Sequence, residues 1–233
     1  VAKNDSIAQF ISAISKGGGM SMSNGYDVEF EMTGQVLSVV RKVAGIDPNR
    51  REPSQPGYLI SLLCDEAQLP NIQAATGQVT GVHLGESQIS YPHTKMYSDF
   101  SLSWMCDANM APLKFLTAWH NYIFNGDSSE EIKTLSRNRL ETVKTVTPNP
   151  VNRSVRLNYP SEYMATVRIT KTERGANAPN SRAPISYIIQ ECYPYAIDAV
   201  PLSYGTSQIT KVTANFYYRK HSIVYNDISG YRG

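Results

Sequence analysis

Alternation of apolar and polar residues with period two recurs along this chain and restricts its fold more than any other feature. "YDVEFEM" places Tyr26, Val28, Phe30 and Met32 on one side and Asp27, Glu29 and Glu31 on the other. "DFSLSWMC" points Phe100, Leu102, Trp104 and Cys106 inward and Asp99, Ser101 and Ser103 outward. "KVTANFYY" alternates Val212, Ala214, Phe216 and Tyr218 with Lys211, Thr213, Asn215 and Tyr217. Successive side chains of a strand face opposite ways, so each segment reads as a half-buried strand with one wet face.

The remaining chain supplies more strands than helices. "YLISLLCDEAQLP" reads as a buried strand ending near Cys64, and "GQVTGVHLG" and "SQISYPHTK" as short strands split by Gly85. "EYMATVRITKTERGANAPNSRAPISYIIQECYP" reads as two strands around a polar loop at Gly175 to Pro184. "YAIDAVPLSYGTS" then leads to the last alternating strand, and "HSIVYNDISGYRG" is an arm or a frayed end. Helical spacing appears in three places. Ile7, Phe10, Ile11 and Ile14 form a stripe stopped by Gly17, Gly18 and Gly19, which read as a hinge. "QVLSVVRKVAG" predicts a short helix, followed by the Pro-rich loop "IDPNRREPSQPG". After the turn "CDANMA", Leu113, Leu116, Trp119 and Ile123 share a stripe, with Asp107 or Asn109 as the cap and Pro112 acceptable in the first turn. Many strands, few helices and turn-rich joints predict a mainly β, mostly antiparallel fold. Residues 126–160 break the pattern: a polar segment, then the extended "TPNPVNRSVRLNYP". So long an irregular stretch in a compact domain usually touches something.

The search for chemistry returns no constellation. The four histidines, His83, His93, His120 and His221, sit at no metal-binding spacing. The triple glycine is not followed by the Lys and Ser or Thr of a phosphate loop, and no GxSxG is present. The strand carboxylates Asp27, Glu29 and Glu31 read as a solvated face, since no acidic loop adds the oxygens of a cation cage. Cys64, Cys106 and Cys192 are odd in number and widely spaced, which predicts buried free thiols in a reducing compartment. No enzyme, metal or cofactor is expected. A net charge of +2 argues against a dedicated nucleic-acid binder and leaves little like-charge repulsion to oppose self-association. A nucleic-acid-binding β module remains the second reading, on Arg153, Arg156 and Tyr159 and the pair Arg50–Arg51. No apolar run approaches the roughly 18 residues of a membrane span, so no membrane insertion is expected, and "VAKNDSIAQF" does not read as a signal peptide.

Several of these stretches also occur together, and in order, in one known family. "NGYDVEFEM", "CDEAQLP", "YSDFSLSWMCDANMAPLKFLTAWHNYI" and "QECYPYAIDAVPLSYGTSQITKVTANFYYRK" resemble the tail tube proteins of large contractile-tailed phages. The resemblance covers about half the chain. It implies two packed antiparallel sheets of sandwich or barrel type, flanked by a helix and carrying extended loops. It implies one tube-type domain over residues 1–233, with an N-terminal helix and insertions near 33–56 and 126–160. It further implies hexameric rings of the chain, stacked into a hollow conduit for DNA inside a contractile sheath. The implied partners are other copies, the sheath, the baseplate, the tail terminator and, transiently, DNA in the lumen. The implied place is the phage tail, assembled in the host cytoplasm. The insertions leave a tube initiator or end protein, or a secretion-machine tube subunit, as alternatives. On this reading Ser101, Ser103, Thr213 and Asn215 are candidates for a wet or lumen-facing sheet face. Gly17, Gly18, Gly19, Arg153, Arg156 and Tyr159 are candidates for arms between subunits.

Overall fold

The computed structural model describes residues 6–16, 19–50, 52–53, 55–81, 88–124, 157–173, 182–202, 204–205 and 208–225. The elements run α1 (Ser6–Lys16), β1 (Tyr26–Glu31), α2 (Gly34–Ala44), α3 (Pro56–Leu62), β2 (Cys64–Ala67), β3 (Gln73–Val79), β4 (Ile89–Met96), β5 (Phe100–Met105), α4 (Ala111–Ile123), α5 (Pro160–Tyr163), β6 (Ala165–Glu173), β7 (Arg182–Ile197), β8 (Lys211–Tyr217) and β9 (Lys220–Tyr225). The fold is mainly β, and every strand pairing is antiparallel.

The main sheet has the order β1-β6-β7-β8-β5-β2, with β9 joined to β7. The long strand β7 is what turns it into two layers. Its first part pairs with β6 and β9, and its last residues, Tyr193 to Ile197, pair with β8. Between the two parts Glu191 takes a left-handed backbone (φ 55°), and the β6 register slips between Ala165 and Val167. A bulge of this kind bends a strand and lets it pass from one sheet to another. Arg219 forms an ion pair with Glu191 at this corner, and its N–H donates to the Gln190 carbonyl at 3.3 Å. β7 therefore does not stop at the aromatic–proline pair Tyr193–Pro194, as the sequence pattern had indicated, but continues to Ile197.

The inward residues of both layers meet in an aromatic core. Phe30 of β1 lies 6.1 Å from Trp104 of β5 and 6.5 Å from Phe216 of β8, and Phe100 stacks on Phe216 at 5.3 Å. Helix α4 covers the opening between the layers with Phe115 and Trp119, at 5.3 and 6.2 Å from Phe30. The buried stripe of α4 is Phe115, Leu116, Trp119 and Ile123, whereas Leu113 is only half-buried. Each indole fastens a short helix to this core. The Trp104 Nε1–H donates to the Ile60 carbonyl of α3 at 2.9 Å, and the Trp119 Nε1–H to the Tyr163 carbonyl of α5 at 2.8 Å. Both bonds satisfy donors that burial would otherwise strand.

Residues 33–56, expected as an insertion, contribute Val36, Val40 and Ile46 to the core. The Asn49 side chain clamps this segment to β1, donating to the Met32 carbonyl at 2.7 Å and accepting from the Met32 N–H at 2.9 Å. One expectation is overturned here: residues 56–62 form a helix, and the strand begins only at Cys64. Pro56 sits in the first turn, where its missing N–H costs nothing. The short apolar run that follows has no alternation to favour a strand, and Gly57 and Ile60 take the buried side at helical spacing.

Candidate assembly surface

The four polar residues picked from the sequence lie side by side on one face. In the β5–β8 ladder Ser101 is directly opposite Asn215 and Ser103 directly opposite Thr213. Alternation in both strands puts all four on the side away from the aromatic core. They are already engaged locally. The Ser103 and Thr213 hydroxyls are 3.1 Å apart, the Ser101 hydroxyl donates to Gln68 Oε1 at 3.0 Å, and Asn215 Nδ2 reaches Asp198 Oδ1 at 3.5 Å. Ser103 corrects the expectation of a uniformly wet face: it is 7% exposed. Its position on a central strand, with β2 on one side and β8 on the other, covers it. Two features of this face had no signal in the alternation alone. Lys211 pairs with Asp65 across β2 and β8, and Tyr195 stacks on Tyr217 with centroids 3.9 Å apart while its hydroxyl donates to Asp99 Oδ2 at 2.7 Å. That carboxylate, followed by burial, pushes the Tyr195 phenol up to about 12.

The second layer has its own outer row. Glu29 of β1 faces Arg168 of β6, which faces Ile188 of β7, which faces Ser222 of β9. Asp27, expected as a solvated carboxylate, instead accepts a hydrogen bond from the Ser61 hydroxyl at 3.2 Å, and Glu29 is half-buried with Arg168 Nη1 at 3.8 Å. Among the described residues the sheet does not close on itself, because β1 and β2 remain its two ends. Helix α3 fills the gap. The Ser61 hydroxyl also donates to the Val28 carbonyl of β1, and the Tyr26 hydroxyl reaches across to the Cys64 carbonyl at 3.1 Å.

Two elements leave apolar faces uncovered. The predicted stripe of α1 is present but exposed, with Ile7 at 71%, Phe10 at 61% and Ile11 at 60%. Gly19 closes this helix, its N–H donating to the Ile14 carbonyl at 2.9 Å with φ at +102°, a conformation that requires glycine. The β3–β4 hairpin forms a separate two-stranded sheet that exposes Val79, Ile89, Tyr91 and Met96. Of the other candidate arm residues, Tyr159 is exposed at the start of α5. Gly17, Gly18, Arg153 and Arg156 lie outside the described residues, as does Arg51.

The turn "CDANMA" has a structural task. Asp107 caps α4, its carboxylate accepting from the Ala111 N–H at 2.6 Å and its carbonyl from the Met110 N–H at 2.9 Å, with Met110 in a left-handed conformation (φ 55°). A cleft of about 360 Å³ lies between the sheet ends, lined in part by Tyr26, Asp27, Tyr58, Cys64 and Asp65. Burial, followed by the Asp65 charge, pushes the Cys64 thiol up to about 12, so it holds almost no thiolate at neutral pH. Among the described residues no group of three or more His, Cys, Asp or Glu is placed to hold a metal ion. Arg50 is ion-paired to Asp47 at 3.2 Å rather than free for phosphate.

The polar β5–β8 face and the exposed apolar residues of α1 and the β3–β4 hairpin are the surfaces that the described residues present. The sequence pattern of the phage tail tube proteins matches residues 21–224. The chain belongs to the phage tail tube protein family. The matched span starts after α1 and runs into β9, so it takes in the whole aromatic sandwich of this tail tube protein. Among solved structures, a chain of the anti-feeding prophage baseplate is similar over 89% of this chain and 97% of its own, with 11% identity and a TM-score of 0.48. A chain of the sheath–tube complex of the extracellular contractile injection system PVC covers 89% of this chain and 93% of its own at 6% identity, TM-score 0.44. An Hcp protein covers 87% of this chain and 99% of its own at 10% identity, TM-score 0.41. Among curated proteins, none matches.

Proposed function

We propose that this tail tube protein, acting as one domain along its length, is a structural subunit without enzymatic activity. Copies assemble into hexameric rings that stack into the hollow tube of a contractile phage tail, through which DNA leaves. The observation that carries this reading is the family match over residues 21–224. The geometry supports it. Among the described strands β9, β3 and β4 each pair on one side only, so they offer edges that a neighbouring chain can extend, and head-to-tail contacts of this kind close into rings or continue as stacks. The face bearing Ser101, Thr213 and Asn215, with Ser103 beneath, suits a lumen: hydroxyls and an amide keep it wet, and the Lys211 charge on this face is paired to Asp65 rather than left to hold DNA phosphates. Helix α1 behind Gly17–Gly19, Tyr159 and the 126–160 segment are the arms to neighbouring copies. Sheath, baseplate and terminator then act on the outside and the ends of the tube, within a virion assembled in the host cytoplasm.

Negative-stain electron microscopy of the purified protein over a range of concentrations tests the proposal. The expected result is stacked rings or hollow tubes. Particles that stay dispersed at every concentration would overturn the main-tube role and leave a subunit that needs a baseplate template.

A further inference from the structure

Of the described histidines only His221 is buried, at 5% exposed. It lies on β9 opposite Ile189 of β7, on the core-facing row that continues through Val167 of β6 to Phe30 of β1. Tyrosine rings surround it: Tyr97 at 5.2 Å, Tyr218 at 5.7 Å and Tyr187 at 5.9 Å. Nδ1 is 3.2 Å from the Tyr218 hydroxyl, and Nε2 is buried without a hydrogen-bond partner. Three pieces of the chain meet at this ring. β9 carries it, β7 supplies Tyr187, and Tyr97 comes from the segment that joins the β3–β4 hairpin to β5.

A neutral imidazole suits this box, because the Tyr218 hydroxyl serves one nitrogen and the aromatic rings pack on the rest. An imidazolium does not. Both nitrogens would carry protons, Nε2–H would have no acceptor, and a charge would sit in an apolar setting. Among the described residues the surrounding charges offer no counter-ion. Lys95 of β4 stands over the Tyr97 ring at 5.0 Å. Asp99 is held by the Tyr195 hydroxyl, and the Arg219 charge at the β8–β9 turn is paired to Glu191. Among the described residues the other titratable groups in contact with the ring are the three phenols.

We propose that His221 is an acid-released latch: neutral, it binds the strand β9 and the root of the β3–β4 hairpin to the body; protonated, it lets both go. Burial first, and Lys95 second, hold the His221 imidazole below its usual range. For a base whose folded value is depressed, the released state binds more protons, so the latch is fully closed above about pH 6.5 and weakens as pH falls below it. This rests on the side-chain geometry alone and stands whether or not the tube role does.

Hydrogen–deuterium exchange of the full chain, at about pH 7.5 and about pH 5 and corrected for intrinsic rates, reads the latch directly. The β9 amides, and those amides of Ile185 to Gln190 that bond to β9 rather than to β6, are expected to exchange faster at the lower pH, by at most about 30-fold, which is the limit if only the open form protonates. The β1–β6 ladder is expected to keep its protection. His221→Phe, and His221→Gln as a second neutral replacement that can still bond Tyr218, are each expected to remove the pH effect. Equal protection of β9 at both pH values in the native chain, or an undiminished acid effect in whichever variant folds, would overturn the proposal.

Discussion

The α4 stripe and the α1 stripe look alike in sequence, yet the chain treats them in opposite ways. α4 buries Phe115, Leu116 and Trp119 against both layers of the sheet, whereas α1 holds Ile7, Phe10 and Ile11 in water. The same contrast separates β5, flanked by β2 and β8, from β4, whose only strand partner among the described residues is β3. A helix of this length and a lone hairpin are each marginal in water. Local pattern therefore reports which residues want cover, and topology decides whether the same chain provides it.

The largest expected effect breaks the comparison at its buried side. Trp119→Ala removes a ring packed on Phe30 and Phe216 and the donor to the Tyr163 carbonyl. It is expected to cost about 3–5 kcal/mol in urea unfolding. Phe10→Ser, the matched change on α1, is expected to alter the stability of the isolated chain by no more than about 0.5 kcal/mol, while reducing ring or tube formation seen by electron microscopy. Equal destabilisation by the two changes would show that α1 already packs against its own chain.

Gly57→Ala probes the joint between these regimes. A Cβ at Gly57 would lie 1.7 Å from the Asp47 carbonyl oxygen, so backbone must move. A loss of about 1–3 kcal/mol in thermal or urea unfolding is expected, with α3 pushed away from the sheet ends it bridges. An unchanged midpoint would mean that the Asp47 turn yields freely, despite its ion pairs to Arg41 and Arg50.

Much of this architecture was legible in the sequence because alternation is a direct record of which side chains face the core. Val28, Phe30, Leu102, Trp104, Val212, Ala214 and Phe216 all lie where the pattern put them. The pairing of Ser101 with Asn215 and of Ser103 with Thr213 was not readable, since register depends on strands more than a hundred residues apart. Ser103 is buried for the same reason: a residue can point away from the core and still be covered by its neighbours on both flanks. Residues 56–62 misled because a short apolar run fits a buried strand and a helix equally, and Pro56 is the residue that should have decided it. The bend of β7 at Glu191 left no mark, as a non-glycine residue at positive φ is held there by its surroundings. His221 belongs to the alternating row of β9, but nothing in its neighbours in sequence announced the tyrosines that box it.

The smallest stability loss expected within the packed body sharpens the comparison at the start of α4. The sequence offers Asp107 or Asn109 as the cap, and it is the Asp107 carboxylate that accepts from the Ala111 N–H. Asp107→Ala should therefore cost about 1 kcal/mol, and Asp107→Asn, which keeps an acceptor oxygen, distinctly less. Both measurements need only chemical unfolding of the isolated chain. A capped helix that is also locked under two layers of sheet has packing to spare, so α4 should survive the change with its contacts to Phe30 and Phe216 intact. If Asp107→Asn were as harmful as Asp107→Ala, the negative charge at the helix N-terminus, rather than the hydrogen bond, would be the source of the stabilisation.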